Sequence, residues 1–267
     1  MEANKKAQAD FLLSGALGDP NFGSGDQVNK RVRKLLSPSV LGQQAAHVRK
    51  SHTLQPVDAT SGGRYVMPEA AGTEIQVMDD DELYVSLVFG LNSYFGARVE
   101  AEGFFLNNAM ANFFPAGSDT GSDSDAVKNA NVMEPNKRPL SLGAPVVVVS
   151  SSHMCKTRLV AGSPKFDILA QVIARYLALG SPLADSIHAP RLHLGAEFGT
   201  RDYLMEALDG TNQAGQLPST TVDALEAKGI SFSVLRGPYV SCDALVKYQD
   251  SVDGQADPRT NALVTFY

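Results

Sequence analysis

Residues 83–108 read LYVSLVFGLNSYFGARVEAEGFFLNN, and the fold is decided by what this stretch pairs with. Leu83–Phe89 is an apolar, β-branched and aromatic run, which reads as a buried strand. Just before it, Thr73–Met78 alternates, with Ile75 and Val77 on one face and Glu74 and Gln76 on the other. The polar turn Asp79–Glu82 joins the two runs into a hairpin. After it, Glu102–Asn107 begins another extended segment. Farther on, Ala144–Ser152 (APVVVVSSS) and Arg158–Ala161 read as buried strands. Phe166–Leu179 has helical spacing and stops at Gly180, and Ser181 and Pro182 open the next helix. Thr221–Lys228 is a helix stopped by Gly229, and Ile230–Val234 and Ala262–Phe266 close the chain as strands.

Working back from the hairpin, residues 1–16 read as the end of a helix, followed by the turn LGDPNF (Leu17–Phe22). Val28–Leu36 and Ser37–Lys50 are helical, with Ser37 and Pro38 as an N-cap and first-turn pair. Residues 51–72 carry Pro56, Ser61, Gly62, Gly63, Pro68 and Gly72 and read as a linker. Residues 116–131 are rich in Gly, Ser, Asp and Asn and read as an exposed, irregular loop. Strands, then two central helices, then more strands make a layered α+β chain.

A length of 267 residues allows one substantial core with an appendage. The net charge of −6 gives no reason to expect nucleic acid or an anionic membrane as partner. Asn29–Lys34 (NKRVRK) is a basic run, read as one solvated helix face. Two cysteines, Cys155 and Cys242, make no disulfide framework and read as free thiols. No apolar run is long enough to cross a membrane, and the first residues do not have the pattern of a signal peptide.

The segments LNSYFG (Leu91–Gly96), KRPLS (Lys137–Ser141), LVAGSP (Leu159–Pro164), APRLH (Ala189–His193) and ADPRTNALV (Ala256–Val264) follow one another in an order that resembles the small catalytic subunit of the γ-glutamyltransferases, also called glutathione hydrolases. LGDPNF resembles a stretch near the end of that family's large subunit. The resemblance implies an N-terminal-nucleophile hydrolase fold, an αββα sandwich of two stacked antiparallel sheets between helix layers, with Thr73–Met78 near the middle of one sheet. It divides the chain into residues 1–72, a remnant of large-subunit helices and linker, and residues 73–267, a small-subunit-like domain. It implies no cofactor and no metal. The implied ligands are glutathione or other γ-glutamyl compounds, and the implied partner is a large-subunit-like chain. Members of the family are usually extracellular or at the cell surface; this sequence leaves the compartment open.

In such enzymes a threonine, freed by self-cleavage, attacks the γ-glutamyl group with its own α-amino group as base. Counting back from Asn92 without gaps puts that position on Gly72, which has no hydroxyl. A one-residue deletion in the Asp79–Glu82 turn would place it on Thr73 instead, but would turn every side chain of the strand to the other face. The family's oxyanion-hole glycines follow its GSP triplet, and here Lys165 and Phe166 occupy those places. The acids that hold the substrate's ammonium group are replaced in Asn107-Asn108-Ala109-Met110-Ala111-Asn112. Asn92 and Ser141 remain as substrate-binding candidates. The resemblance therefore gives a degenerate family member, inactive alone; the alternative is an active small subunit using Thr73 with a large subunit supplied in trans. Plainer readings stand beside these: Asn92 as a satisfied strand polar group, His188 and His193 as capping or packing residues, Ser150–Ser152 as a strand end, Asp79–Glu82 as a solvated turn and Lys165 as a solvent-facing cation.

Overall fold

A computed structural model describes residues 2–14, 16, 18–22, 26–48, 71–113, 131–151, 156–194, 202–206, 217–237 and 239–266. The alternation at 73–78 produces β1 (Ala71–Met78), and the apolar run after it produces β2 (Tyr84–Asn92). They pair antiparallel, Thr73 opposite Phe89 and Met78 opposite Tyr84, with a one-residue bulge where Ala71 meets Asn92. The short strands β3 (Glu100–Ala101) and β4 (Phe104–Phe105) form a second, small hairpin. Next come β5 (Ala144–Val149) and β6 (Arg158–Ser163), and, after two helices, β7 (Leu192–Leu194), β8 (Asp202–Glu206), β9 (Ser231–Leu235), β10 (Asp243–Tyr248) and β11 (Ser251–Gln255).

The centre is an antiparallel sheet in the order β11-β10-β6-β5. On one face lie α4 (Phe166–Ile173, continued by a π-helical turn to Ala178) and α5 (Leu183–His188). Their Ile168, Leu169, Val172, Leu183 and Ile187 meet Leu159, Ala161, Cys242, Ala244 and Val246 in the main core. On the other face lies the β1–β2 hairpin. The Ser86 hydroxyl donates to the carbonyl of Ala161 at 2.9 Å. A Cβ at Gly162 would stand 2.5 Å from Gln76 Nε2 and 3.0 Å from Val88, so the two sheets approach this closely because the residue is glycine.

The hairpin therefore lays its polar side, Glu74, Gln76 and Ser86, on the central sheet. Its apolar side is open: Ile75, Val77, Val85, Leu87 and Phe89 are between 41% and 50% exposed. Among the described residues no helix covers that side, so the outer helix layer of the expected sandwich is not seen there. β2 is consequently not a buried strand. β5 is not buried either, because it is the last strand of its sheet and exposes Val147 and Val149. Nor is β1 central: among the described residues its only ladder partner is β2. The run Ala262–Phe266, expected as a strand, has no ladder partner among the described residues; residues 262–265 and β1 line one cavity.

A further sheet, β7-β8-β9, departs from an all-antiparallel arrangement: β8 and β9 run parallel, with α6 (Ser219–Glu226) between them in sequence. It closes a smaller core of Leu194, Tyr203 and Ile230. The N-terminal α1 (Glu2–Leu13) docks on this region through Tyr203, whose hydroxyl donates to Glu2 Oε1 at 2.6 Å. Asp19 of the LGDPNF turn takes the backbone N–H of Arg138 at 2.9 Å and its guanidinium at 2.6 Å, and these bonds hold the Asp19 carboxyl well below the usual range. α2 (Asp26–Leu35) and α3 (Pro38–His47) bury no residue. Pro38 opens α3 as expected, but the Ser37 hydroxyl turns back to the carbonyl of Lys34 at 2.8 Å and does not cap it. The loop expected over 116–131 lies outside the described residues except for its last member, Asn131, which is buried rather than exposed. Cys155 also lies outside them; Cys242 is a buried free thiol, and burial pushes its pKa up.

Candidate functional site

The bulge at the start of β1 fixes the site. Gly72 and Gly90 touch across it, and a Cβ on Gly72 would point at Phe89 O (2.8 Å) and at Pro164 Cβ (3.3 Å). Gly72 and Pro164 both line a cavity of about 370 Å³, together with Asn92, Ala109, Asn112 and Ser141, among others. Residues that are far apart in sequence, each singled out from it, thus share one cavity. Thr73 does not join them. By the two-residue period of a strand it belongs to the outward side with Ile75 and Val77, and it lines a different cavity along the free edge of β1.

Asn92 sits at φ 72°, a left-handed conformation that asparagine tolerates. Its side chain is engaged at both ends: Nδ2 donates to Asn108 O at 3.2 Å, and Oδ1 accepts from Asn112 Nδ2 at 2.7 Å. Asn112 also donates to Leu140 O at 2.9 Å, and Asn131 bridges Asn112 O (2.7 Å) to Leu140 N (3.1 Å). Asn92, Asn112 and Asn131 thus form one connected asparagine network. The Ser141 hydroxyl accepts from Gly143 N at 3.2 Å and keeps its own proton to donate.

The backbone donors after Pro164 are already taken. Lys165 N donates to Ser163 Oγ at 3.2 Å, and Phe166 N donates to Leu142 O at 3.1 Å. The Lys165 ammonium does not face solvent: it lies 3.4 Å from Leu194 O and 3.5 Å from the buried carboxylate of Asp167.

The cavity on the free edge of β1 measures about 590 Å³ and is lined by Thr73, Glu74, Gln76, Ser241, Asp243 and the run Thr260–Thr265. Both oxygens of the buried Glu74 carboxyl accept hydrogen bonds, from Ser241 Oγ (3.0 Å) and from Asp243 N (3.2 Å). Burial, reinforced by the nearby Asp243 charge, pushes Glu74 up to about 7. Burial likewise pushes Asp243 up to about 6.

Behind Asp243 runs a buried ion network that sequence reading did not assemble. Asp257 pairs with Arg191 (2.6 Å) and Arg259 (3.2 Å); Arg259 pairs with Glu206 (2.7 Å), and Glu206 with His193 (2.9 Å). Burial raises Glu206, but the His193 and Arg259 contacts outweigh it and hold its pKa below the ordinary value. Arg191, His193, Asp257 and Arg259 all lie in the APRLH and ADPRTNALV segments, so the motifs were visible while their pairing across the fold was not. His188 is the exposed last residue of α5. Among the described residues no three His, Cys, Asp or Glu side chains converge as a metal site. The Asp79–Glu82 turn is not simply solvated, because Glu82 pairs with Lys247 and Arg158, each at 2.8 Å.

The model of the γ-glutamyltranspeptidase family matches residues 1–267. This chain belongs to that family. It is 28% identical to the glutathione hydrolase proenzyme of Escherichia coli over 97% of its own length, and spans 42% of that protein. It is 30% identical to the Arabidopsis thaliana protein named "Putative inactive glutathione hydrolase 4", over 66% of this chain and 93% of that one. Among solved structures, a γ-glutamyltranspeptidase from Pseudomonas nitroreducens superposes with a TM-score of 0.60 at 25% identity, covering 73% of this chain and 99% of that chain. The architecture is accordingly that of the N-terminal-nucleophile hydrolases, with the central sheet, the β1–β2 hairpin stacked on it and helices on the far side.

Proposed function

We propose that this γ-glutamyltranspeptidase-family chain does not transfer γ-glutamyl groups by itself and instead serves through binding. The observation that carries this reading is Gly72. A Cβ there would meet Phe89 O and Pro164, and Gly72 lines the cavity shared with Asn92, Asn112 and Ser141, so the place that calls for a hydroxyl has none. The rest of the cavity supports the same reading. With Ala109, Ala111 and Asn112 in place of acids, a substrate ammonium loses charge-assisted bonds worth roughly 1.5–3 kcal/mol each. The engaged N–H of Phe166 removes an oxyanion donor of a kind whose loss costs about 10²–10³ in rate.

The exposed outer side of the β1–β2 hairpin supports a partner role. Its natural occupant is a large-subunit-like chain, since the Escherichia coli relative has more than half of its length outside the matched region. The test is turnover. The purified chain should release no p-nitroaniline from γ-glutamyl-p-nitroanilide and no glutamate from glutathione above background. Its intact mass should show no cleavage between Gly72 and Thr73. Turnover abolished by Thr73→Ala, with or without an added large subunit, would establish Thr73 as the nucleophile and overturn the proposal.

A further inference from the structure

The cavity beside Gly72, of about 370 Å³, has no Asp, Glu, Lys, Arg or His among its described lining residues. Val88, Leu142, Pro139, Pro145 and Pro164 supply apolar wall, and the polar side chains are two amides and one hydroxyl. The size is within the range of small-molecule sites, which are mostly apolar with a few placed polar groups.

An ion entering such a cavity gives up hydration and gains no opposite charge, which disfavours any zwitterion. The amides offer dipoles and no charge: Asn92 keeps one Nδ2 proton beyond its bond to Asn108 O, and Asn112 keeps its Oδ1 while its Nδ2 protons go to Asn92 and Leu140. The donor open to solvent is the Ser141 hydroxyl, whose oxygen already accepts from Gly143 N. Ser141 is exposed, so its hydroxyl proton is within reach of a molecule arriving from solvent. It calls for an acceptor, and a carbonyl is the acceptor an uncharged organic molecule most commonly presents.

We infer that the cavity beside Gly72 binds an uncharged, carbonyl-bearing small molecule with an apolar body, and that it discriminates against zwitterionic amino-acid groups. Asn92 and Asn112 contribute neutral amides to the lining, Ser141 donates to the ligand carbonyl, and the prolines and Leu142 take its apolar part. This rests on the proposed loss of γ-glutamyl transfer and goes beyond it, because it assigns the altered cavity a ligand class of its own.

A matched pair of probes tests it on the full chain: N-acetyl-L-glutamine methylamide, which is uncharged, and L-glutamine, its zwitterionic parent. Titration followed by amide chemical shifts should give saturable changes at Ala109, Ser141 and Gly143 with the uncharged probe. The parent should bind at least about tenfold more weakly. Ser141→Ala should weaken the uncharged probe and leave the parent unchanged. Ala109→Asp should reverse the preference by giving the ammonium group a partner. No saturable binding of the uncharged probe would overturn the ligand assignment and leave the absence of turnover standing. Tighter binding of the zwitterion would overturn the ligand class, while the turnover assay judges the loss of γ-glutamyl transfer separately.

Discussion

At the scale of the residue, Gly72 and Glu74 carry the most consequence. At Gly72, the proposed place of a missing nucleophile, the hairpin has closed around the glycine. A Cβ there would lie 2.8 Å from the carbonyl oxygen of Phe89, and that neighbour is backbone rather than a flexible side chain. Gly72→Thr should therefore lower the unfolding free energy, by about 1–3 kcal/mol as for other overpacked sites, and should not restore turnover; denaturant unfolding and the anilide assay read the two outcomes. Glu74 makes a pH prediction. Its folded pKa of about 7 and that of Asp243 near 6 are raised above the ordinary values of 4.5 and 3.8. The folded state thus binds these protons more tightly than the unfolded one. The stability they contribute is full below the ordinary values and is lost as pH rises through about 6 and then 7. Asp19, Glu82 and Glu206, whose pKa values are lowered, act in the opposite sense, so the parent profile alone mixes the two. Glu74→Gln isolates the effect. Its stability relative to the parent should improve from about pH 5 to about pH 8, by on the order of 2–3 kcal/mol. A difference that is flat with pH would show that Glu74 is not protonated in the folded chain.

At the scale of the element, the β1–β2 hairpin shows what can be read in the letters and what cannot. The period of two in Thr73–Met78 is local, so the strand and its turn were legible. Which side meets the central sheet was not, because that depends on Gly162, Ser86 and Ala161, which are remote in sequence. The polar side went inward because Glu74 finds Ser241 and the N–H of Asp243 there, and a buried polar group that is hydrogen-bonded is tolerated. The gathering of Gly72, Asn92, Asn112 and Ser141 was legible only through the order of motifs, since composition and periodicity say nothing about tertiary proximity. The occupied N–H of Phe166 and the ion network from His193 to Asp257 were invisible, being pairings across the fold. β7 and β10 are too short for their alternation to stand out, and β11 (SVDGQ) shows none, so tertiary pairing is what makes them strands. Gly90 tests how tightly the hairpin is drawn. A Cβ there would meet Ala71 O at 2.5 Å and Gly72 Cα at 2.7 Å. Gly90→Ala should thus destabilise the chain and open the bulge, seen as lost amide protection at Ala71 and Asn92, whereas Gly42→Ala, with nothing within 4 Å, should not.

At the scale of the whole molecule, the chain presents a sheet with helices on one side and an uncovered hairpin on the other. Relatives of more than twice its matched length belong to the same family, and the outer face of β1–β2 has the character of a surface meant to be covered. Ile75, Val77, Val85, Leu87 and Phe89 lie side by side with no charged side chain among them. A contiguous apolar patch of this kind on a free chain marks an interaction surface or a liability to aggregate. Leu87, half exposed, is the central probe because it faces Ile75 across the ladder. Leu87→Lys should reduce the binding of an apolar fluorescent dye and remove concentration-dependent association in sedimentation. It should change the unfolding free energy by no more than about 0.5 kcal/mol, as for a surface substitution. The same variant should lose any complex formed with a large-subunit-like chain, since a lysine ammonium would then be carried into an apolar interface without a partner. If Leu87→Lys instead costs several kcal/mol in the isolated chain, the face is already covered in the folded monomer and cannot be the docking surface. An unchanged complex with the variant would place the partner elsewhere, on the helical side or around α1.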